Sequence, residues 1–143
     1  MSKPFKLLIE DHNKVKTLIK DMLASSSKDK AKRKEMLAQL KQELKLHEKI
    51  EEKYVYPPME EKKATHDMTL EAYQEHHVVD VLLGELGHVD VSDEDWKAKL
   101  TVLEENLTHH IKEEETELFV KAQKNLSSDV LNQMEKDIAE AKR

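Results

Sequence analysis

The chain contains no cysteine. Disulfides, iron–sulfur clusters and thiol catalysis are therefore excluded. Only two glycines and three prolines occur in 143 residues, so turns are few and the segments between them long. Runs of β-branched residues are also absent. No apolar run approaches the ~20 residues that span a bilayer. The first residues lack the apolar core of a secretory signal, and residence in the cytoplasm is the expectation. Acids outnumber bases by 30 to 24, giving a formal net charge of -6 with the two signs interspersed. No basic stripe is available for a nucleic acid. The locally basic stretch from Lys28 to Lys34 reads as a solvated helical turn or loop.

Lys, Glu, Leu and Ala dominate, and 38% of the residues are charged. That mixture describes long amphipathic helices. The length suits one domain, residues 1–143, able to bury a core of its own. A first helix is expected from about Lys3 to Leu23, ended by Ser25, Ser26 and Ser27. A second runs from near Lys28 to about Tyr56, where Pro57 and Pro58 stop it. A third runs from an Asp67 cap to about Gly87, and His88 to Val91 form a loop. A fourth follows a Ser92 cap and ends near Asn125. The reading is all-α: an up-down-up-down four-helix bundle over about residues 4–125, with a short C-terminal fifth helix over about 127–142.

Core-facing positions of such helices recur at steps of three and four. The second helix gives Leu37, Leu40, Leu44, His47, Glu51 and Tyr54. The fourth gives Trp96, Leu100, Leu103, Leu107, His110, Glu114 and Glu117. In both, a leucine seam turns into His-x3-Glu without changing face. The first helix gives Phe5, Leu8, His12, Val15, Ile19 and Met22, and the third Ala72, His76, Val79, Leu83 and Leu86. A single core histidine is more often a hydrogen-bonded packing residue than a ligand. Four of them on four seams, joined by two carboxylates, are a different matter. An unpaired buried carboxylate costs several kcal/mol, and two in one layer repel. A bound cation removes both penalties.

Spacing and height agree with this. Residues i and i+4 share a helix face, so His47 with Glu51 and His110 with Glu114 can each offer nitrogen and oxygen to one centre. At ~1.5 Å per residue, all six candidates fall in one band, roughly 8 to 22 Å from the same end of the bundle. The second and fourth helices also share an internal repeat, His-x3-Glu-Glu-x2-aliphatic-aromatic. It runs from His47 through Glu51, Glu52 and Val55 to Tyr56, and from His110 through Glu114, Glu115 and Leu118 to Phe119. Mixed histidine and carboxylate ligands suit iron, manganese, zinc or cobalt. Six or seven ligands exceed the needs of one tetrahedral ion, so two ions fit better. His77 and His109 lie on more polar lines and read as boundary or exposed residues, and His66 and His88 as solvated loop residues. Tyr54 shares the His47 face and is expected near the metals or in the core.

With Asp11-His12-Asn13, His47-x3-Glu51-Glu52 followed by Tyr56-Pro57, Glu75-His76, and His110-x3-Glu114-Glu115 followed by Leu118-Phe119, the chain resembles the hemerythrin-like family of HHE cation-binding domains. The resemblance covers about residues 4–124. It implies a four-helix bundle with two iron ions, oxo- or hydroxo-bridged, that binds or reacts with O2. On that resemblance Glu51 and Glu114 would bridge, His12 and His47 would serve mainly one iron, and His76 and His110 the other. Some members also use the glutamate after the second-helix histidine, here Glu48, which lies one residue off the seam. Respiratory members carry two histidines four apart on the third helix; here the residue four after His76 is Asp80, read as a partner to a histidine N–H or a surface residue. The missing histidine leaves more open coordination.

Four functions follow as expectations. The first is binding or sensing of O2 or another small diatomic. The second is redox catalysis on peroxide, nitric oxide or O2. The third is iron storage or supply. The fourth, a metal-free bundle, leaves Glu51 and Glu114 uncompensated.

Overall fold

Capping side chains and prolines set most of the helix boundaries. In the computed structural model, which describes residues 1–143, Pro4 falls in the first turn of α1 (Lys3–Ala24), where its missing N–H has no helical partner to lose. Asp29 caps α2 (Lys30–Ile50) by accepting from the Lys32 N–H at 3.3 Å. Thr65 precedes α4 (His66–Leu86), and its hydroxyl donates to the Met59 carbonyl at 2.6 Å, fastening the turn before it. Asp93, rather than the expected Ser92, caps α5 (Glu94–Glu113) by accepting from the Asp95 N–H at 2.9 Å. Ser127 caps α7 (Ser128–Ala141) by accepting from the Val130 N–H. No helix is long and apolar enough to cross a membrane.

The second helix does not stop at Tyr56 as the prolines suggested. It passes through a π-helical turn, Glu51–Val55, and continues as α3 (Tyr56–Glu60), with Pro57 in the first turn of the new segment. There its missing N–H is tolerated. A second π-turn, Glu114–Leu118, joins α5 to α6 (Phe119–Asn125). In each turn an N–H reaches back five residues: Tyr56 to the Glu51 carbonyl, and Phe119 to the Glu114 carbonyl. The extra residue rotates the buried stripe by one position. Val55 and Tyr56 are buried where Tyr54 was expected, and Leu118 and Phe119 where Glu117 was expected.

The core has two apolar parts. One joins the later half of α1 (Val15, Ile19, Met22) to the start of α2, the end of α4 and the start of α5. The other joins the start of α1 (Phe5, Leu8) to Ile50–Met59, Ala72, Leu118–Leu126 and the α7 residues Met134 and Ile138. Starts of α1 and α4 thus meet ends of α2 and α5, which is the alternating direction of an up-down bundle. Arg33 departs from the expectation of a solvated basic stretch. It is buried, stacks 4.5 Å over the Trp96 ring and donates to the carbonyls of Ser25 and Val91, tying the two loops at that end together. Between the two apolar parts lies a layer of histidine and glutamate.

Candidate metal centre

Each helix delivers its part of this layer through the periodicity that builds the core. His12 follows Leu8 by one turn of α1; His47 follows Leu44 on α2; His76 follows Ala72 on α4; His110 follows Leu107 on α5. Glu51 and Glu114 follow their histidines by four residues and open the two π-turns. All six side chains are buried, Glu51 to 0% and Glu114 to 1% exposure.

The ring nitrogens are sorted by hydrogen bonds. His12 Nδ1–H donates to Glu115 Oε2 at 2.8 Å and His76 Nδ1–H to Glu52 Oε2 at 2.8 Å. His47 Nδ1–H donates to Asp11 Oδ2 at 3.1 Å and His110 Nδ1–H to Glu75 Oε1 at 2.7 Å. Every Nδ1 thus has its own carboxylate, and every Nε2 faces inward. Such a carboxylate fixes the tautomer and orientation of a metal-ligating imidazole and raises its basicity.

The arrangement has approximate two-fold symmetry. The residue before His12 holds His47, and the residue before His76 holds His110. The second glutamate of each repeat crosses to the other half, Glu115 to His12 and Glu52 to His76. The ring pairs match: His12 and His47 meet at 4.8 Å and 64°, His76 and His110 at 5.0 Å and 63°.

Inside, lone pairs converge. His12 Nε2 and His47 Nε2 are 3.1 Å apart. Glu51 Oε1 lies 3.1 Å from both His47 Nε2 and His76 Nε2. Glu114 Oε1 lies 3.2 Å from His12 Nε2 and 3.4 Å from His110 Nε2. Three buried atoms of this layer make no hydrogen bond: Glu51 Oε2, Glu114 Oε1 and His110 Nε2. Each such atom costs about 1–3 kcal/mol, more when charged. Four imidazole nitrogens and two carboxylates without enough donors are chemically suited to hold cations. Two overlapping groups could each hold one: His12, His47, Glu51 and Glu114, and then Glu51, His76 and His110.

Without a cation, protons take its place. Burial alone would push His47 down, but Glu51, Asp11 and Glu114 outweigh it and hold the imidazole up to about 10. Burial likewise opposes His76, yet Glu51 and Glu52 hold it up to about 9. Burial would raise Glu114, but the His110 imidazole beside it holds its carboxyl well below the usual range.

The remaining candidates lie in different places. Glu48 is buried beside the centre; it is absent from the two inner groups but forms with Glu52 and His76 a third group that could hold a cation, its ligand atoms within 4.8 Å of one another. Burial, Asp80 and Glu52 push its carboxyl up to about 8. Asp80 is exposed and faces Glu48 rather than a histidine N–H. Tyr54 is displaced from the centre by the π-turn and is half-buried, its ring under the Lys53 ammonium. The phenol at the centre is Tyr56. Its hydroxyl donates to Glu114 Oε2 at 2.6 Å and lies 3.2 Å from Glu51 Oε1 and from His76 Nε2. The symmetry-related residue is Phe119, so the hydroxyl belongs to one half only. The aliphatic-aromatic end of the internal repeat marked both positions. His77 and His109 are exposed; His66 opens α4 instead of lying in a loop, and His88 is an exposed loop residue. The carboxylates Asp11, Glu75, Glu52 and Glu115 were present in the motifs but had not been assigned to the histidines they hold.

A cavity of about 10 Å³ touches all four histidines and Glu48, and its other walls are Val15, Leu44, Val79, Leu107 and Ile111. That is room for about one water-sized molecule.

A family model described as the hemerythrin HHE cation binding domain matches residues 3–122. A DNA nickase from Nostoc sp. is 30% identical over 132 residues, which are 92% of this chain and 37% of that protein. The chain therefore spans little more than a third of that relative's length. A solved structure of a hemerythrin HHE cation binding domain-containing protein from Mycobacterium kansasii superimposes with a TM-score of 0.83 at 21% identity. The match covers 95% of this chain and 82% of the other, a likeness of fold.

Proposed function

Because the chain belongs to the hemerythrin HHE cation-binding family, we propose that it holds two iron ions and binds O2, or a molecule of similar size, beside them. The observation that carries the reading is the small cavity bounded by all four histidines. Its far wall is aliphatic, so a small apolar molecule is admitted where bulk water is not. The metals would be held by His12, His47, Glu51 and Glu114 on one side and by Glu51, His76 and His110 on the other. When bound, two irons supply electrons and open coordination for such a ligand. The protein's own part is to orient and shield. Asp11, Glu115, Glu52 and Glu75 hold each Nδ1 proton and keep each Nε2 aimed inward. Tyr56 keeps its proton, raised well above its ordinary value by burial and by Glu114 and Glu51, and so remains a donor to Glu114. The test is oxygen added to reduced, iron-loaded protein. A reversible optical change supports binding, and an irreversible one contradicts it. Val79→Ile, which puts one methyl group into the cavity wall, should slow the change at least tenfold with iron content unaltered.

A second reading, redox catalysis on peroxide or nitric oxide, has one observation in its favour. Tyr56 places an O–H 2.6 Å from Glu114 at the layer, on the face opposite the aliphatic cavity. That reading requires sustained turnover with peroxide that Glu51→Ala abolishes. Storage of a mineral core is disfavoured by a cavity that admits about one water. DNA is not part of the proposal either, because a net charge of -6 with interspersed signs offers no phosphate-binding face.

A further inference from the structure

The four outer carboxylates sit in unequal surroundings. Asp11 alone has a lysine within ion-pair distance. Lys142 Nζ lies 2.7 Å from Asp11 Oδ1, while Asp11 Oδ2 accepts from His47 Nδ1–H. Glu75, the symmetry-related group on the other half, faces the exposed His109 at 3.8 Å instead. Lys142 caps the end of α7 and also donates to the Leu7 carbonyl of α1 at 3.2 Å. Its helix is fixed by Met134 (2% exposed) and Ile138 (0%), which pack in the cluster that contains Phe5 and Leu8. The residues of α7 lie beyond the 3–122 match to the family.

We propose that Lys142 is a positioning residue that sets the metal affinity of the His12/His47 half through the chain Lys142–Asp11–His47. The inference rests on the two-metal reading above. The physical argument is that Asp11 is buried (6% exposed) and its two oxygens are held by Lys142 Nζ and by His47 Nδ1–H. A buried carboxylate stripped of a cationic partner is strongly destabilised and turns toward water. Turning would withdraw Oδ2 from His47 Nδ1–H and free the imidazole to rotate. Losing a hydrogen-bonded partner behind a metal-ligating histidine costs about 10–100-fold in metal affinity. Lys142 acts one contact further out, so about 3–10-fold is expected. Only one half should respond, because no lysine supports Glu75.

The test compares Lys142→Gln and Lys142→Arg with the unaltered chain by two measurements. In metal-free protein, long-range nitrogen NMR reads the His47 ring. Lys142→Gln should alter its Nδ1–H signal and leave that of His110 unchanged, and Lys142→Arg should preserve both. In iron-loaded protein, release of ferrous iron to a chromogenic chelator should show one iron of the two leaving about 3–10-fold faster in Lys142→Gln. That iron should be the one hastened by Asp11→Asn and not the one hastened by Glu75→Gln, with Lys142→Arg restoring the rate. An unchanged His47 signal in Lys142→Gln, equal acceleration of both irons, or acceleration of neither overturns the proposal. Fewer than two irons in the unaltered chain would instead be failure of the two-metal reading, and the NMR comparison would still decide the role of Lys142.

Discussion

Replacing Tyr56 by phenylalanine removes one oxygen from the candidate centre. The ring is fully buried, and its symmetry-related counterpart is already a phenylalanine, Phe119, stacked on Phe5 at 4.7 Å. Phenylalanine therefore fits the site without repacking. The lost contact is the 2.6 Å bond to Glu114 Oε2, short enough to be a charge-assisted O–H···O⁻ bond. Glu114 Oε1 has no hydrogen bond of its own, so the variant leaves both oxygens short of donors. Hydrogen bonds to charged groups contribute about 1.5–3 kcal/mol. At ~2.1 cal/mol/K per residue, a chain of this length loses ~3 °C per kcal/mol, so metal-free Tyr56→Phe should melt about 5–10 °C lower. Tyr54→Phe is the control. Its hydroxyl lies outside the core, and a shift below ~2 °C is expected. Melting is followed by circular dichroism in chelator-treated protein. Iron-loaded Tyr56→Phe should show a smaller drop, because a cation then neutralises Glu114. Equal melting temperatures for metal-free Tyr56→Phe and Tyr54→Phe would refute the reasoning.

The approximate symmetry predicts that Glu52→Ala and Glu115→Ala, each freeing one Nδ1–H, weaken metal binding by about 10–100-fold in a competition titration, and a loss confined to one of them contradicts it. The metal-free protein should lose stability as pH rises. His47 and His76 are raised from 6.5 to about 10 and about 9, so their contribution is fully present below pH 6.5 and disappears as pH climbs through 9 to 10. Glu114, held low, contributes above its ordinary value of 4.5 and loses that contribution on strong acidification. Melting curves from pH 5 to 10 should fall toward the alkaline end, and a rise between pH 7 and 9 would be inconsistent with this account. Removing iron with a chelator should lower the melting temperature by about 10 °C or more, since a ligand at ~1,000 times its dissociation constant stabilises by about 4 kcal/mol. Helix content at 25 °C should change little, because both apolar parts of the core remain packed.

Steps of three and four along the sequence were enough to find the inner layer, since His12, His47, His76 and His110 continue the stripes that bury Leu8, Leu44, Ala72 and Leu107. The same rule failed one turn later, at Tyr54 and Glu117. It assumes 3.6 residues per turn, and the π-turns at Glu51–Val55 and Glu114–Leu118 each insert one more. The repeat itself carried the correction, because its aliphatic-aromatic pair stands four and five places after the glutamate instead of three and four. The prolines misled for the same reason: Pro57 lies in the first turn of a new segment, where it is harmless. Pairing of Asp11 with His47, or Glu115 with His12, depends on which helices are neighbours and at what height. Sequence spacing within one helix holds no such information, and the Lys142 contact, 131 positions from Asp11 along the chain, holds least of all.

The most direct test of the central claim is metal content per chain, measured with the visible and near-ultraviolet spectrum of reduced protein before and after air is admitted. The account predicts about two irons per chain, an absorption change on oxygenation, and its reversal when oxygen is removed. Protein that takes up no stoichiometric metal when offered ferrous iron would contradict it, and the buried, donor-poor Glu51, Glu114 and His110 would then need another explanation.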